Sequence, residues 1–229
     1  MIDTLLHWFG FGLCHQLPAR SFFGAGGHQV PVCARDTGIY IGFVLSFALI
    51  ALIDRGRRRS GLPAWPALVL AGLFVAVMAW DGVTSYAGLR ATDNAIRLIT
   101  GLLAGWALPV IVYPLVTGSL WRRSSPDRSL SGTLDIVMWV LPIPAAFALV
   151  WWVMPLLGVW YPLLVVAAVM ATFVGVNMVI ALLPSRFDRS FERVRDAWVP
   201  MIVAFALSAA EIGLAAWLRI FLQSLAGVR

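Results

Sequence analysis

The sequence predicts an all-α membrane protein, a polytopic bundle of about six spanning helices with a short interfacial helix in front of it. Three observations carry that expectation. Of the 229 residues, 61% are hydrophobic and 12% charged, against roughly 45–50% and about 25% in soluble domains, so the surplus apolar surface needs lipid as its solvent. The apolar residues gather into six runs, 38–54, 64–81, 95–117, 133–154, 159–183 and 198–222, each close to the ~20 residues that cross a hydrocarbon core. The 17 basic residues are all arginine, and they cluster between the runs. That is the pattern of topology signals and excludes a nucleic-acid-binding face.

Residues 1–37 are expected to form an extracytoplasmic or interfacial Cys/His segment, and residues 38–229 the bundle. Within the first part, Met1 to Leu13 is too short to span, lacks a basic leader and carries Asp3 and His7 among aromatics. It reads as an interfacial helix and not as a signal peptide. The first run, 38–54, is the shortest and is followed by Arg55, Arg57, Arg58 and Arg59. The second stops at Asp81. The third contains Gly101-x-x-x-Gly105, a spacing that lets two helices approach closely, and both it (Pro109, Pro114) and the fourth run (Pro142, Pro144) carry kinking prolines. Asp135 is a cap-region acid at the start of the fourth, and Asn177 on the fifth is an interhelical hydrogen-bonding group. Residues 186–196, rich in arginine and phenylalanine, read as a basic amphipathic helix lying on anionic lipid.

Arginine density sets the orientation. Eleven arginines fall in the loops after the first, third and fifth runs, and six elsewhere: Arg20, Arg35, Arg90, Arg97, Arg219 and Arg229. By the positive-inside rule the three dense loops are cytoplasmic, both termini are extracytoplasmic, and the protein sits as a multi-pass chain in the cell (inner) membrane. The N-terminal segment and the loop between the second and third spans then share one side, where their polar residues can meet.

Two constellations lie on that side. The first is Cys14-His15-Gln16, Arg20-Ser21-Phe22 and Pro31-Val32-Cys33-Ala34-Arg35-Asp36. Thiolate, imidazole and carboxylate are zinc ligand types, and Cys14, His15, Cys33 and Asp36 could close a tetrahedron, with His28 as a spare. Two other readings stand beside the metal. Cys14 and Cys33 could instead form a disulfide worth roughly 3 kcal/mol, and Asp36 could serve as a helix N-cap. The second constellation is Asp81-Gly82-Val83-Thr84, Gly88-Leu89-Arg90 and Thr92-Asp93-Asn94, continuing to Arg97, Thr100 and Gly101. Thr92 or Asp93 is placed to cap the third span. Asn94, Arg97 and Gly101 share a helix face near its N-terminus, where a guanidinium beside free amides suits an anion. Asp81, Asn94 and Arg97 are the expected anion- or substrate-binding residues. Glu211, with Ser208 one turn earlier, is the polar outlier inside the sixth span, expected to be neutral and hydrogen-bonded in the bundle or lining a polar cavity.

Together these motifs (Cys-His-Gln-x-Pro-x-Arg-Ser-Phe, Pro-x-Cys-Ala-Arg-x-x-Gly-Ile-Tyr-x-Gly-Phe, and Asp-Gly-x-Thr-x5-Leu-Arg-x-Thr-x-Asn-x-x-Arg-x-x-Thr-Gly) resemble the predicted membrane proteins of the DUF2085 family over roughly residues 10–105. The resemblance implies a small integral membrane protein of prokaryotes and brings no activity with it. The family pattern reads Cys-x-Arg-Cys where this chain has Cys33-Ala34-Arg35-Asp36. Aspartate keeps a zinc ligand but removes a redox dithiol.

Three functional readings follow. In the first, zinc on Cys14, His15, Cys33 and Asp36 works with an anion clamp on a lipid-linked substrate. In the second, the chain is an accessory subunit of a larger membrane complex or a homo-oligomer. In the third, it is a small-solute or ion transporter with Glu211 on its path. No Walker or dinucleotide motif is present, and the expected partner in every case is the lipid bilayer.

Overall fold

The computed structural model describes residues 2–225, so Arg229 and Met1 of the expectations above lie outside the described residues. Six helical passes are long and apolar enough to cross a bilayer, as the six runs require. A ten-residue helix, α1 (Ile2–Phe11), comes first. It leads through a 3-10 turn (Pro18–Arg20) into a hairpin of β1 (Ser21–Phe23) and β2 (Gln29–Cys33), antiparallel with Ser21 opposite Cys33. The passes that follow are α2 (Ala34–Asp54), α3 (Trp65–Tyr86) and a third made of α4 (Asn94–Ala107) and α5 (Pro109–Leu120). The fourth is broken into α6 (Thr133–Val140), α7 (Ile143–Ala148), a π-helical stretch (Leu149–Val153) and a 3-10 turn (Met154–Leu157). The last two are α8 (Trp160–Ala181) and α9 (Trp198–Leu225).

Three of the four prolines fall at helix breaks, while Pro114 lies inside α5, which continues through it. Pro109 begins α5 where α4 ends, and Pro142 and Pro144 fall at the α6–α7 break, each lacking the amide that would continue the ladder. Two boundaries differ from the hydropathy pattern in a way that matters. α2 starts four residues early, at Ala34, and α3 runs past Asp81 to Tyr86. Polar residues continue both helices because they are paired inside the protein, which apolar patterning cannot register. Residues 186–196 also depart from expectation: only Val194–Ala197 is helical, as one 3-10 turn. The preceding stretch is stitched to the end of α5 by Arg189 N–H to Ser119 O and Phe191 N–H to Leu120 O.

Glycines set the central contact. On α4, a Cβ at Gly101 would strike the backbone of Arg35, and one at Gly105 the backbone of Ile39. On α2, a Cβ at Gly38 or Gly42 would meet the α4 backbone at Leu98 and Leu102. Two small-x-x-x-small faces thus let α2 and α4 touch backbone to backbone. Beside this seam, Trp139 Nε1 donates to Ser46 Oγ (2.9 Å), Ser46 Oγ to Trp106 O (2.7 Å) and Trp106 Nε1 to Trp139 O (2.8 Å). This closed buried ring ties α2, α4 and α6 with every member satisfied.

The arginine-dense loops meet at one end. There β3 (Arg59–Gly61) pairs in parallel with β4 (Ser125–Arg128), and Arg58 donates to Glu192 O. Asp54 accepts from Tyr113 Oη and the Arg59 amide, while Arg59 reaches Asp135 at 3.1 Å. Asp135 is therefore an ion-pair partner as well as a first-turn acid. The opposite end gathers α1, the β1–β2 hairpin, the α3–α4 loop and the last turns of α9. Ala25 N–H there donates to Pro155 O, and Asn94 Nδ2 to Ala19 O.

Candidate functional site

The backbone around Cys14 is fixed by its neighbours. Cys14 N–H donates to Gly10 O, and the chain then turns at Gln16 with φ of +53°. Gln16 Nε2 donates to both His7 O and Pro31 O, and Gln29 Nε2 donates to Gln16 O. Gln16 therefore serves the Cys-His-Gln motif by binding α1 to β2, the strand that ends in Cys33. Close approach of α1 requires Gly10, where a Cβ would collide with Pro31 O. From the other side, Arg219 of α9 donates to Cys14 O at 2.8 Å.

These constraints bring the ligand-bearing atoms of Cys14, Cys33 and Asp36 within 4.8 Å of one another. Both cysteines are free thiols, and Cys33 Sγ donates to Asp36 Oδ2 at 3.1 Å. The N-cap of α2 is Cys33, so Asp36 stands in the first turn and is not the cap. The neighbouring Cys33 side chain favours a thiolate at Cys14 and outweighs burial, which brings Cys14 down to about 7. The proximity of Cys14, with burial, pushes the Cys33 thiol up. Two sulfurs and a carboxylate are a zinc-type donor set of three, which leaves one position of a tetrahedron for water or a ligand.

His15 departs from the expected ligand set. It is exposed, and its ring nitrogens are not in the cluster. It lines the adjoining cavity instead, a space of about 380 Å³ bounded by Cys14, Cys33 and Asp36 on one side and by Arg20, Arg35, Tyr86 and Arg97 on the other. His28 is also elsewhere, paired with Asp3 at 2.9 Å.

The second constellation divides in two. Arg97, only 8% exposed, lines the cavity, and its guanidinium has no hydrogen bond or ion pair to any described residue. With no acceptor from the described residues, this guanidinium faces the cavity, where water or an anion solvates it. Asp81 plays another part. It is 1% exposed and accepts from Arg35, Arg90, Thr92 and Thr100, so its lone pairs are occupied. It does not reach the cavity and is a strut that holds Arg35 and Arg90. Asn94 Nδ2 donates to Ala19 O while its Oδ1 is buried without a partner among the described residues, and Asp93 is the α4 cap, accepting from the Ile96 amide at 2.8 Å. Unlike Arg97, neither Asp81 nor Asn94 lines the cavity.

Arg20, Arg35 and Tyr86 were not singled out by sequence as wall residues. A signal existed for Arg35, which sits between Cys33 and Asp36 in the motif and packs against the Gly101 that the close-approach pattern marks. Arg20 also lay within the first motif. Glu211 is hydrogen-bonded as expected, accepting from Asn177 Nδ2 at 2.9 Å, while Asn177 also donates to Ser208 Oγ. Its residue is exposed on α9, however, and no cavity encloses it.

The fold and its polar pocket together define an integral membrane protein of six helical passes, with a thiol–carboxylate cluster and an arginine wall at one end of the bundle. The chain belongs to the DUF2085 family, described as predicted membrane proteins, whose model matches residues 14–111. That stretch runs from Cys14 into α5 and contains the cluster, Arg20, Arg35, Asp81 and Arg97. Uncharacterized protein MJ1492 of Methanocaldococcus jannaschii is 34% identical over 111 residues, 48% of this chain and 68% of that protein. An uncharacterized protein of Methanothermobacter thermautotrophicus is 37% identical over 104 residues, 45% of this chain and 86% of that one. No solved structure matches the chain.

Proposed function

We propose that the protein binds zinc through Cys14, Cys33 and Asp36 and an anionic group through Arg97, with Arg20 and Arg35 beside it, at the extracytoplasmic interface of a prokaryotic cell membrane, and acts there on a lipid-linked ester or phosphoester. Residues 1–37 form the cap that carries the ligands together with Arg20 and Arg35, and residues 38–229 the bundle that carries Arg97. One observation supports the reading above the others: three zinc-type donors and an arginine with no acceptor among the described residues line one cavity of about 380 Å³. Zinc held this way supplies Lewis acidity and a bound water of lowered pKa.

The chain's own residues do the rest. Arg97 fixes the anion by charge-assisted hydrogen bonds, and Arg35, locked by Asp81, adds positive potential without moving. His15 lines the same cavity and is the imidazole available there for proton transfer. The test is binding of inorganic phosphate to zinc-loaded protein by calorimetry. Arg97→Gln should retain zinc and lose phosphate, whereas Cys14→Ser should lose zinc. Phosphate binding to Arg97→Gln equal to wild type overturns the reading.

The accessory-subunit reading has one observation in its favour, the carboxyl-bearing residue Glu211 exposed on a spanning helix. Lipid solvates such a group poorly, and a partner helix would cover it. Co-purification of a stoichiometric second protein would support that alternative.

A further inference from the structure

A second hollow adjoins the arginine pocket. It has a volume of about 520 Å³ and lies between Gly12–His15 and the outer half of α9, where Ala215, Leu218 and Leu222 form its apolar wall. Leu13, Cys14 and His15 border both spaces. The polarity changes across that shared edge, from arginines, thiols and a carboxylate on one side to a mainly aliphatic wall on the other, which also carries Arg219 and, at its outer end, Gln223.

We infer that this hollow is a lateral entrance for a lipid: an anionic headgroup occupies the Arg97 pocket while one hydrocarbon chain lies along α9 from Gln223 towards Ala215. The inference rests on the zinc and anion reading above and specifies its substrate as a membrane lipid with a phosphate or carboxylate headgroup.

Length, packing and energetics agree with this occupant. From Ala215 to Gln223 is eight residue steps, roughly 12 Å at 1.5 Å per residue, close to the ~15 Å of one leaflet's hydrocarbon. Leu218 and Leu222 stay 46% and 55% exposed along it, so the groove opens directly to the acyl region. Its inner edge is held in place at two points. A Cβ at Gly12 would meet the Ala216 amide nitrogen at 2.6 Å, and Arg219, stacked 4.3 Å over the Phe11 ring, also bonds Cys14 O. Lipid tails are as apolar as leucine, so the groove adds little affinity of its own. What it provides is passage: the headgroup reaches Arg97 while its chain stays in hydrocarbon and no CH₂ has to enter water.

The experiment is photolabelling of zinc-loaded protein in nanodiscs with a phosphatidic acid carrying a diazirine in its acyl chain, followed by peptide mapping. Wild type is expected to be labelled preferentially on 215–223, and Arg97→Gln to lose that preference. Ala215→Trp, which fills the groove, and Leu218→Trp as a second block, should lose the label while keeping zinc and inorganic phosphate binding, which also reports that they fold. Label spread evenly over the exposed faces of α3 and α9 and unchanged by both blocks, with phosphate still bound, overturns the entrance and leaves the site reading intact. Failure of wild type to bind inorganic phosphate overturns both.

Discussion

Asp81→Asn separates a strut from a ligand. Asp81 is 1% exposed and its carboxylate receives Arg35, whose side chain is 10% exposed, and Arg90, whose side chain is 38% exposed. Asparagine keeps one acceptor but turns its NH₂ towards arginine donors, leaving at least one buried guanidinium without an acceptor. Breaking a buried pair from one side costs about 3–5 kcal/mol, which at about 2–4 °C per kcal/mol for a chain of this size lowers the midpoint by about 6–20 °C. Arg90→Gln removes a partly solvated pair worth at most about 1 kcal/mol. Thermal unfolding in detergent should therefore rank Asp81→Asn far below Arg90→Gln, with zinc retained at low temperature in both. A stable Asp81→Asn that has lost phosphate binding would refute this reasoning and restore Asp81 as an anion-site residue.

Other consequences follow from the same geometry. Gly101→Ala should push α2 off α4 and cost about 1–3 kcal/mol, read as a lowered melting midpoint; an unchanged midpoint means the seam is looser than the backbone approach implies. In metal-free protein, alkylation by iodoacetamide should favour Cys14 over Cys33 and accelerate as pH rises through about 7, where the Cys14 thiolate forms; equal rates at both thiols count against this difference between them. Glu211→Gln keeps an acceptor for Asn177 and should change stability little, whereas Glu211→Leu removes the interhelical bond, worth about 0.6 kcal/mol on average. If glutamine proves as damaging as leucine, the charge at Glu211 matters and the bond alone does not explain it.

The six passes were legible because lipid imposes one long apolar run for each, and the kinks because proline lacks an amide. Gly101-x-x-x-Gly105 announced a close helix contact but not its partner, Gly38-x-x-x-Gly42, which only the packing of α2 on α4 identifies. Three of the four expected metal ligands come together. His15 does not, because the turn at Gln16, pinned by bonds to His7 and Pro31, is a tertiary constraint invisible in spacing. The setting of Asp81 was hidden for a related reason: its helix continues to Tyr86, and its carboxylate is taken up by Arg35 and Thr100 from neighbouring helices and by Arg90 and Thr92 from the loop that follows. The short strands β1 to β4 carried no alternating pattern long enough to read. Arg97 was identified from its helix face, but only the three-dimensional arrangement reveals that it lacks a partner.

The most direct test of the central claim is metal content by mass spectrometry with free-thiol titration on detergent-purified protein, wild type and Cys14→Ser. The account predicts about one zinc per chain, three protein ligands leaving a fourth position open, with both thiols unoxidised in wild type and the metal lost in the variant. A chain with no metal and no free thiol would instead contain a Cys14–Cys33 disulfide and contradict the site.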